Sequence, residues 1–185
     1  MSTLKVNTLQ DTSGNTLSRV LQIVQTVKTD TASQSISSGS QGNTDSFFTV
    51  SITPSSTSSL ILLGGFATFN SSGVEQEIHI AYRRDGSILT TAVNGGGTAN
   101  SIGDADGSRQ RASAGGRSQS TFHPTSFPIY LLDKPASTSS LTYSLAFGHG
   151  SGSTRTMYMN RTDSDSNNSE YSRYVSVFTA TEIAP

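Results

Sequence analysis

The sequence predicts an all-β fold: an antiparallel β-sandwich or jelly roll preceded by a short extended segment. Two observations predict it. Short runs rich in Val, Ile, Thr, Phe and Tyr alternate with polar residues between clusters of Gly, Ser, Asn, Asp and Pro, and no segment carries a convincing helical stripe. A turn-and-strand unit also occurs twice, since Pro54-Ser55-Ser56-Thr57-Ser58-Ser59-Leu60 returns as Pro135-Ala136-Ser137-Thr138-Ser139-Ser140-Leu141. Proline fixes φ and small hydroxyl residues bond their own backbone, so each copy reads as a corner feeding a strand. Phe66 and Phe147 then fall at the same phase. The sequence between the copies shares little, so they read as two related corners of one sandwich rather than as tandem domains.

In chain order, Leu17, Val20, Val24 and Val27 have three-four spacing, but Leu21, Ile23 and Val27 alternate and β-branched residues dominate 20–31, which favours a strand. Residues 29–44 hold Ile36 as the one large apolar side chain and read as a loop or a poorly buried edge strand. Phe48, Val50 and Ile52 share one face of a strand ended by Pro54, and residues 60–70 form the next. In 75–84, Ile78, Ile80 and Tyr82 point one way and Glu77, His79 and Ala81 the other. Arg84-Asp85-Gly86-Ser87 is a hairpin signal, because Asp-Gly accepts positive φ, and Ile88 to Val93 reads as the partner strand. Residues 94–119 form a long loop with one short strand around 109–114. Strands over 127–132, 141–147, 154–160 and 171–181 complete about eight to ten.

Composition narrows the function classes. The chain has 185 residues, 12 basic and 13 acidic, a charged fraction of 14% and a formal charge of −1. That balance argues against nucleic acid as a partner. The longest apolar run, Leu60 to Leu63, is far too short to cross a bilayer, so no membrane insertion is expected. Zero cysteines exclude a disulfide framework and thiolate metal sites. A hydrophobic fraction of 32% makes the core thin, which raises the expectation that subunits share one.

Candidate chemistry is sparse. His79, His123 and His149 lack the close spacing of a metal motif, and serine is too abundant for its nearness to a histidine to indicate a nucleophile. No nucleophile elbow, phosphate loop or marked carboxylate pair occurs, so the chain is not read as an enzyme and no cofactor is expected. Asp163, Asp165, Asn167 and Glu170 are the best cation candidates, with Asp104 and Asp106 similar in kind, but a calcium loop would need glycine where Asn168 stands. Arg155, Tyr158, Arg161, Tyr171 and Arg173, with Tyr174, form the richest aromatic and cationic set, able to stack on and hydrogen-bond a sugar. Arg109, Arg111 and Arg117 in the long loop are candidates for contacting an anionic surface polymer.

The opening Ser2-Thr3-Leu4-Lys5-Val6-Asn7-Thr8-Leu9-Gln10-Asp11-Thr12-Ser13-Gly14 resembles the amino-terminal segment of fibre and appendage proteins of tailed phages, especially marine ones. Val20 to Thr29, Ile52-Thr53-Pro54 and Tyr82-Arg83-Arg84-Asp85-Gly86 look like the small β-rich domain those proteins carry behind it. The resemblance implies a virion structural protein of the tail or capsid surface, commonly a homotrimer, that meets other virion proteins and a glycan or protein receptor on the host. Residues 1–18 would be the attachment and oligomerisation segment, docking through Leu4, Val6 and Leu9, and 19–185 the β-domain. Only that short segment precedes the domain, so a short fibre or spike is expected, with a capsid-decorating protein as the alternative.

Overall fold

A computed structural model describes residues 12–13, 19–73, 76–94 and 97–184. Among the described residues the fold is all-β, with fourteen strands and only antiparallel pairing. The expected antiparallel sandwich is what these strands form. Sheet one holds β1 (Val20–Lys28), β2 (Ala32–Ile36), β5 (Leu60–Ser71), β11 (Thr125–Asp133), β13 (Arg155–Met159) and β14 (Ser176–Ile183). Sheet two holds β3 (Gln41–Asn43), β4 (Val50–Ile52), β6 (Gln76–Arg84), β7 (Ser87–Ile88), β10 (Ala114–Ser118) and β12 (Leu141–His149). A separate hairpin pairs β8 (Thr91–Asn94) with β9 (Gly97–Asn100).

Several strands are halves of one interrupted line. Both β14 and β13 pair with the same side of the sheet around β5, the first along Leu60 to Phe66 and the second along Phe69 to Ser71. Their outer neighbours β1 and β2 run end to end in the same way. Likewise β4 and β3 share β12, and β7 and β10 share β6. The fourteen strands thus make eight lanes, four per sheet, plus the hairpin. Numbered in chain order, sheet one runs 1-8-3-6 and sheet two 2-7-4-5.

Polar side chains stitch the interruptions. Asn160, fully buried and at φ 61°, stands where lane eight breaks; asparagine tolerates that left-handed backbone better than most residues. Its backbone N–H donates to Thr68 O at 3.1 Å, and its amide nitrogen donates to Lys28 O at 2.9 Å and Asp30 O at 3.1 Å, where lane one breaks. Its amide oxygen accepts from Ser176 Oγ at 2.6 Å, which in turn accepts from Thr68 N at 3.0 Å. In sheet two, Thr44 fills the gap between β3 and β4. Its hydroxyl accepts from Leu145 N at 3.0 Å and donates to Phe48 O at 2.7 Å.

The core lies between the sheets. Phe69 of sheet one stacks on Phe147 of sheet two, ring centroids 5.0 Å apart, and Phe48 packs on Phe178 at 5.6 Å. A partly buried ion pair adjoins it: Arg84 donates to the buried Asp133 at 2.6 Å, and Tyr143 Oη donates to the same oxygen at 2.7 Å. Burial, then the Asp133 charge, pushes the Tyr143 phenol far above its usual range.

The two repeated corners occupy equivalent places, feeding β5 and β12, which are inner lanes of the two sheets. Each contains the same turn: Ser58 N donates to Ser56 Oγ at 3.2 Å, and Ser139 N to Ser137 Oγ at 3.0 Å. The shared phase does not hold. Inward residues are Ile61 and Leu63 in β5 but Leu141, Tyr143 and Leu145 in β12, a slip of one residue that leaves Phe66 facing out and Phe147 in. Glu182 marks the other difference. Its buried carboxylate takes Ser55 N, Ser55 Oγ and Ser59 Oγ, each at 2.7 Å, on one oxygen and Gln22 Nε2 at 2.7 Å on the other. Ala136 replaces the first of these serines in the second corner.

Other boundaries move. The Asp85-Gly86 turn is as expected, with φ 49° and 78°, the two positive angles of a tight hairpin. Its return strand is only Ser87–Ile88, because the chain then leaves the sheet as the β8–β9 hairpin. Residues 29–44 supply two short strands at sheet edges, which agrees with the edge-strand alternative. The short strand expected at 109–114 lies at Ala114–Ser118. The last strand begins at Ser176 rather than Tyr171, and Tyr174, Val175, Val177 and Thr179 do not form its inward face, which is Ser176, Phe178, Ala180 and Glu182. Leu4, Val6, Leu9 and Leu17 lie outside the described residues.

Asn160→Ala should cost about 2–4 kcal/mol, since it strands the buried Lys28 carbonyl, the part-buried Asp30 carbonyl and the Ser176 hydroxyl, measured by urea unfolding. Burial would raise the Glu182 carboxyl, but hydrogen bonds from Ser55, Ser59 and Gln22 outweigh it and hold the group at about 2 against a usual 4.5. The unfolded chain therefore takes up that proton first, and stability should fall as pH drops from 4.5 towards 2. Glu182→Gln should flatten the profile in that window; an unchanged slope would refute this.

Candidate functional site

Two excursions carry the candidate residues, and both leave the sandwich at a break in a lane. The first, residues 161–175, exits lane eight after Asn160 and re-enters at Ser176. The second, 89–113, exits lane five after β7 and re-enters at β10. Leu89 N bonds Tyr82 O at 2.8 Å and Ser113 N bonds Ile80 O at 2.7 Å, so the sheet continues on either side of the departure.

The first excursion gathers four of the five residues read as a sugar-binding set. The Arg161 guanidinium lies over the Tyr158 ring at 3.9 Å from its centroid. It also donates to Thr162 O at 3.2 Å and Asp163 O at 3.1 Å. Asp165 bridges Arg161 at 3.5 Å and Arg173 at 2.6 Å, and residues 161 and 173 pair across the loop. Tyr171 packs on Phe122 of the β10–β11 turn, centroids 5.4 Å apart. That turn is tied in by Asp163 N donating to Thr121 O at 3.0 Å and by Asn70 Nδ2 donating to the same oxygen at 3.0 Å. Arg155 stands apart. Strand alternation separates it from Tyr158, and its Nε donates to Ser151 Oγ at 3.2 Å.

This cluster spends much of its chemistry on itself. Arg161 covers one face of Tyr158, so a sugar cannot stack there without displacing it. Burial, with the Asp163 carboxylate, raises the Tyr158 phenol above its usual value. The four cation candidates are not gathered either: Asp165 serves two arginines, while Asn167 and Glu170 are exposed. Among the described residues no three His, Asp or Glu side chains are grouped to hold an ion. The aromatic surface left for a ligand is the Phe122–Tyr171 pair, and Phe122, 43% exposed, has no partner signal in sequence because its neighbour lies 49 positions on.

The second excursion opens with Leu89 and Ala92 against the main core and with β8 beside β11, then folds over the outer face of sheet two, where Ile102 packs on Ala81 and Ala146. Beneath it lies a cleft of adjoining hollows of about 480, 470 and 550 Å³, all bordered by Arg109 and Gln110. Glu77, His79, Gly150 and Ser38 line the first hollow, Ile88 and Ile102 the second, and Asp104 and Asp106 the third. Arg109 pairs with Asp106, and Arg111 Nε donates to Gly103 O at 2.6 Å, so both shape the loop as well as face the cleft. Arg117 lies on β10 instead. His79 is buried above Gly148, whose lack of a side chain leaves room for the imidazole. Burial lowers its pKa, against the nearby Gln110 amide and Glu77 charge, which raise it.

The remaining histidines have structural partners. The sequence reads His149, between Gly148 and Gly150, as a turn residue; it instead ends β12, its Nε2 bonded to Ile36 O at 3.0 Å and its Nδ1 accepting from Ser151 N at 3.2 Å. Ser120 Oγ meets His123 Nδ1 at 2.6 Å inside an exposed turn, but no carboxylate is bonded to that ring among the described residues. What the cleft offers is a mixed set of donors and acceptors: a carboxylate, an amide, a guanidinium and backbone edges. That suits a hydroxyl-rich ligand better than a purely apolar one.

Compared with known families and curated proteins, the sequence matches no family model and shows no significant similarity to a curated protein.

Asp165→Asn should leave global stability within about 1 kcal/mol, because its ion pairs are partly exposed. It should nevertheless speed amide exchange across 161–175, read by hydrogen-exchange mass spectrometry. Unchanged exchange there would mean that Asp165 does not order the loop.

Proposed function

We propose that this chain is a virion structural protein, the subunit of a short trimeric tail fibre or spike that docks through residues 1–18 and presents its β-domain to the host surface. The observation that carries the reading is the opening segment, whose Ser2 to Gly14 resembles the amino terminus of tailed-phage appendage proteins. The architecture supports it. The lane order 1-8-3-6 over 2-7-4-5 has the neighbour relations of a jelly roll, a scaffold used by capsid and lectin domains. Both long excursions leave that scaffold at breaks in a lane where the flanking ladder bonds persist, an arrangement suited to displaying binding loops on a rigid frame. The Arg109–Gln110 cleft and the Phe122–Tyr171 pair are the surfaces proposed to meet a host glycan or protein receptor.

A second reading is a capsid-decorating protein without a receptor. The 161–175 excursion favours it, since Arg161 covers the face of Tyr158 and Asp165 occupies both Arg161 and Arg173, so these groups serve one another rather than a ligand.

Purified full-length protein should compete with virions for host cells under the first reading. Adsorption unaffected at saturating protein would sink it and leave decoration. Under the first reading, Arg109→Ala combined with Gln110→Ala should weaken that competition about tenfold or more, through loss of hydrogen bonds to the ligand. Competition equal to that of the parent protein would remove the cleft from the receptor surface.

A further inference from the structure

We propose that the outer face of sheet one, around Ile23, Phe66 and Tyr130, is where copies of this chain assemble. The inference supplies the contact surface for the homotrimer named above and rests on the chain associating, not on its place in a virion.

Three rows cross all four lanes of the sheet on its outer side. They run Val27, Val177, Phe66, Pro128; then Gln25, Thr179, Gly64, Tyr130; then Ile23, Thr181, Leu62, Leu132. None of the twelve is charged. Tyr130 is 75% exposed, Ile23 64% and Phe66 38%. Sheet two has its equivalent face covered by the chain itself, with Ile102 seated on Ala81 and Ala146. No described residue does the same for these rows. In a chain only 32% hydrophobic, large apolar side chains on an outer face are surface that needs a cover.

The cover is another copy for two reasons. An uncharged face has no electrostatic pattern with which to steer or select a foreign protein, and it would stand bare in water until one arrived. A copy made alongside it removes that face from water at once, and such permanent homomeric contacts are the more apolar class of interface. With the next row, Val20, Ile183 and Leu60, the face spans roughly 20 by 25 Å at about 4.8 Å between strands and about 3.4 Å per residue. That footprint of about 500 Å² is at the large end of the patches of about 300–600 Å² found on monomers, and a standard interface of ~800 Å² per partner takes in the rim of the face as well, where Leu21 is exposed. Gly64 adds a recess beside Tyr130, since no atom lies within 4 Å of where its Cβ would be.

Native mass spectrometry and light scattering of the full chain test the proposal. The parent should be a multiple of 19.5 kDa, three copies for the trimer, and Ile23→Lys combined with Tyr130→Lys should give single chains with an unchanged circular dichroism spectrum. Thr57→Lys, in the exposed first corner, should stay assembled. A parent at 19.5 kDa overturns association altogether, including the cases where residues 1–18 or a foreign protein cover the face. An assembled parent with an equally assembled double variant overturns this face alone. Should the lysines unfold the chain, Tyr130→Cys in this cysteine-free sequence gives a single thiol for a short bis-maleimide. Covalent dimers are then expected, and their absence overturns the proposal. Competition with virions reads the attachment function separately from either result.

Discussion

The constraint on which the sandwich depends is that its hydrogen-bonded lanes survive being cut. A β-lane that stops within a sheet strands backbone donors and acceptors on its neighbour, and a buried one would cost about 1–3 kcal/mol each. Asn160 meets that constraint for three lanes at once: its backbone continues the ladder to Thr68, its amide nitrogen ties the carbonyls of Lys28 and Asp30, and its oxygen anchors Ser176. Thr44 performs the same service in sheet two with one hydroxyl. Because the side chains replace the missing backbone partners, register on either side of each cut stays fixed. The inward faces of lanes one, three and eight can then meet Phe147 and its neighbours across the core.

This also accounts for how a chain so poor in apolar residues holds two sheets together. The buried carboxylates are bonded into networks rather than merely tolerated: Glu182 is held by two serines and a glutamine, and Asp133 by Arg84 and Tyr143. Buried Thr44, Ser59, Thr68 and Ser176 thus serve as internal wiring. The same networks fix which loop ends lie side by side, and so determine where the two excursions are presented.

The fold class was legible because alternation and turn chemistry are local. Ile78, Ile80 and Tyr82 did share an inward face, and Asp85-Gly86 did make the hairpin. The interruptions were not legible, since an asparagine that bonds carbonyls 130 and 132 positions away looks like any loop asparagine. For the same reason Tyr171 to Val175 read as strand: they precede true strand residues with no break in composition, and it is the bridge between residues 161 and 173, the Asp165–Arg173 pair and the bond from Tyr174 N to Asn160 O that hold them in the loop. The aromatic and cationic set was legible as composition but not as geometry. Nothing in the spacing of Arg161 and Tyr158 says that one covers the other, and Phe122 joins the group only through tertiary contact. The cleft beneath 89–113 was half visible, as Arg109 and Arg111 in a long loop, while its floor on β6 was hidden by the sequence distance between them.

The departure and return of the 161–175 excursion has a bearing on how such a protein can change. Its two anchoring residues, Asn160 and Ser176, are bonded to each other at 2.6 Å, so the segment is a closed ring of chain whose footing does not depend on its circumference, while Tyr171 on Phe122 and Asp163 on Thr121 rest one side of it on the β10–β11 turn. Closure entropy grows only with the logarithm of length, so doubling such a ring costs about 0.6 kcal/mol. Lineages of this fold could therefore lengthen, shorten or exchange that segment wholesale while the sheets beneath keep one register, which makes it a natural port for acquiring new surface chemistry.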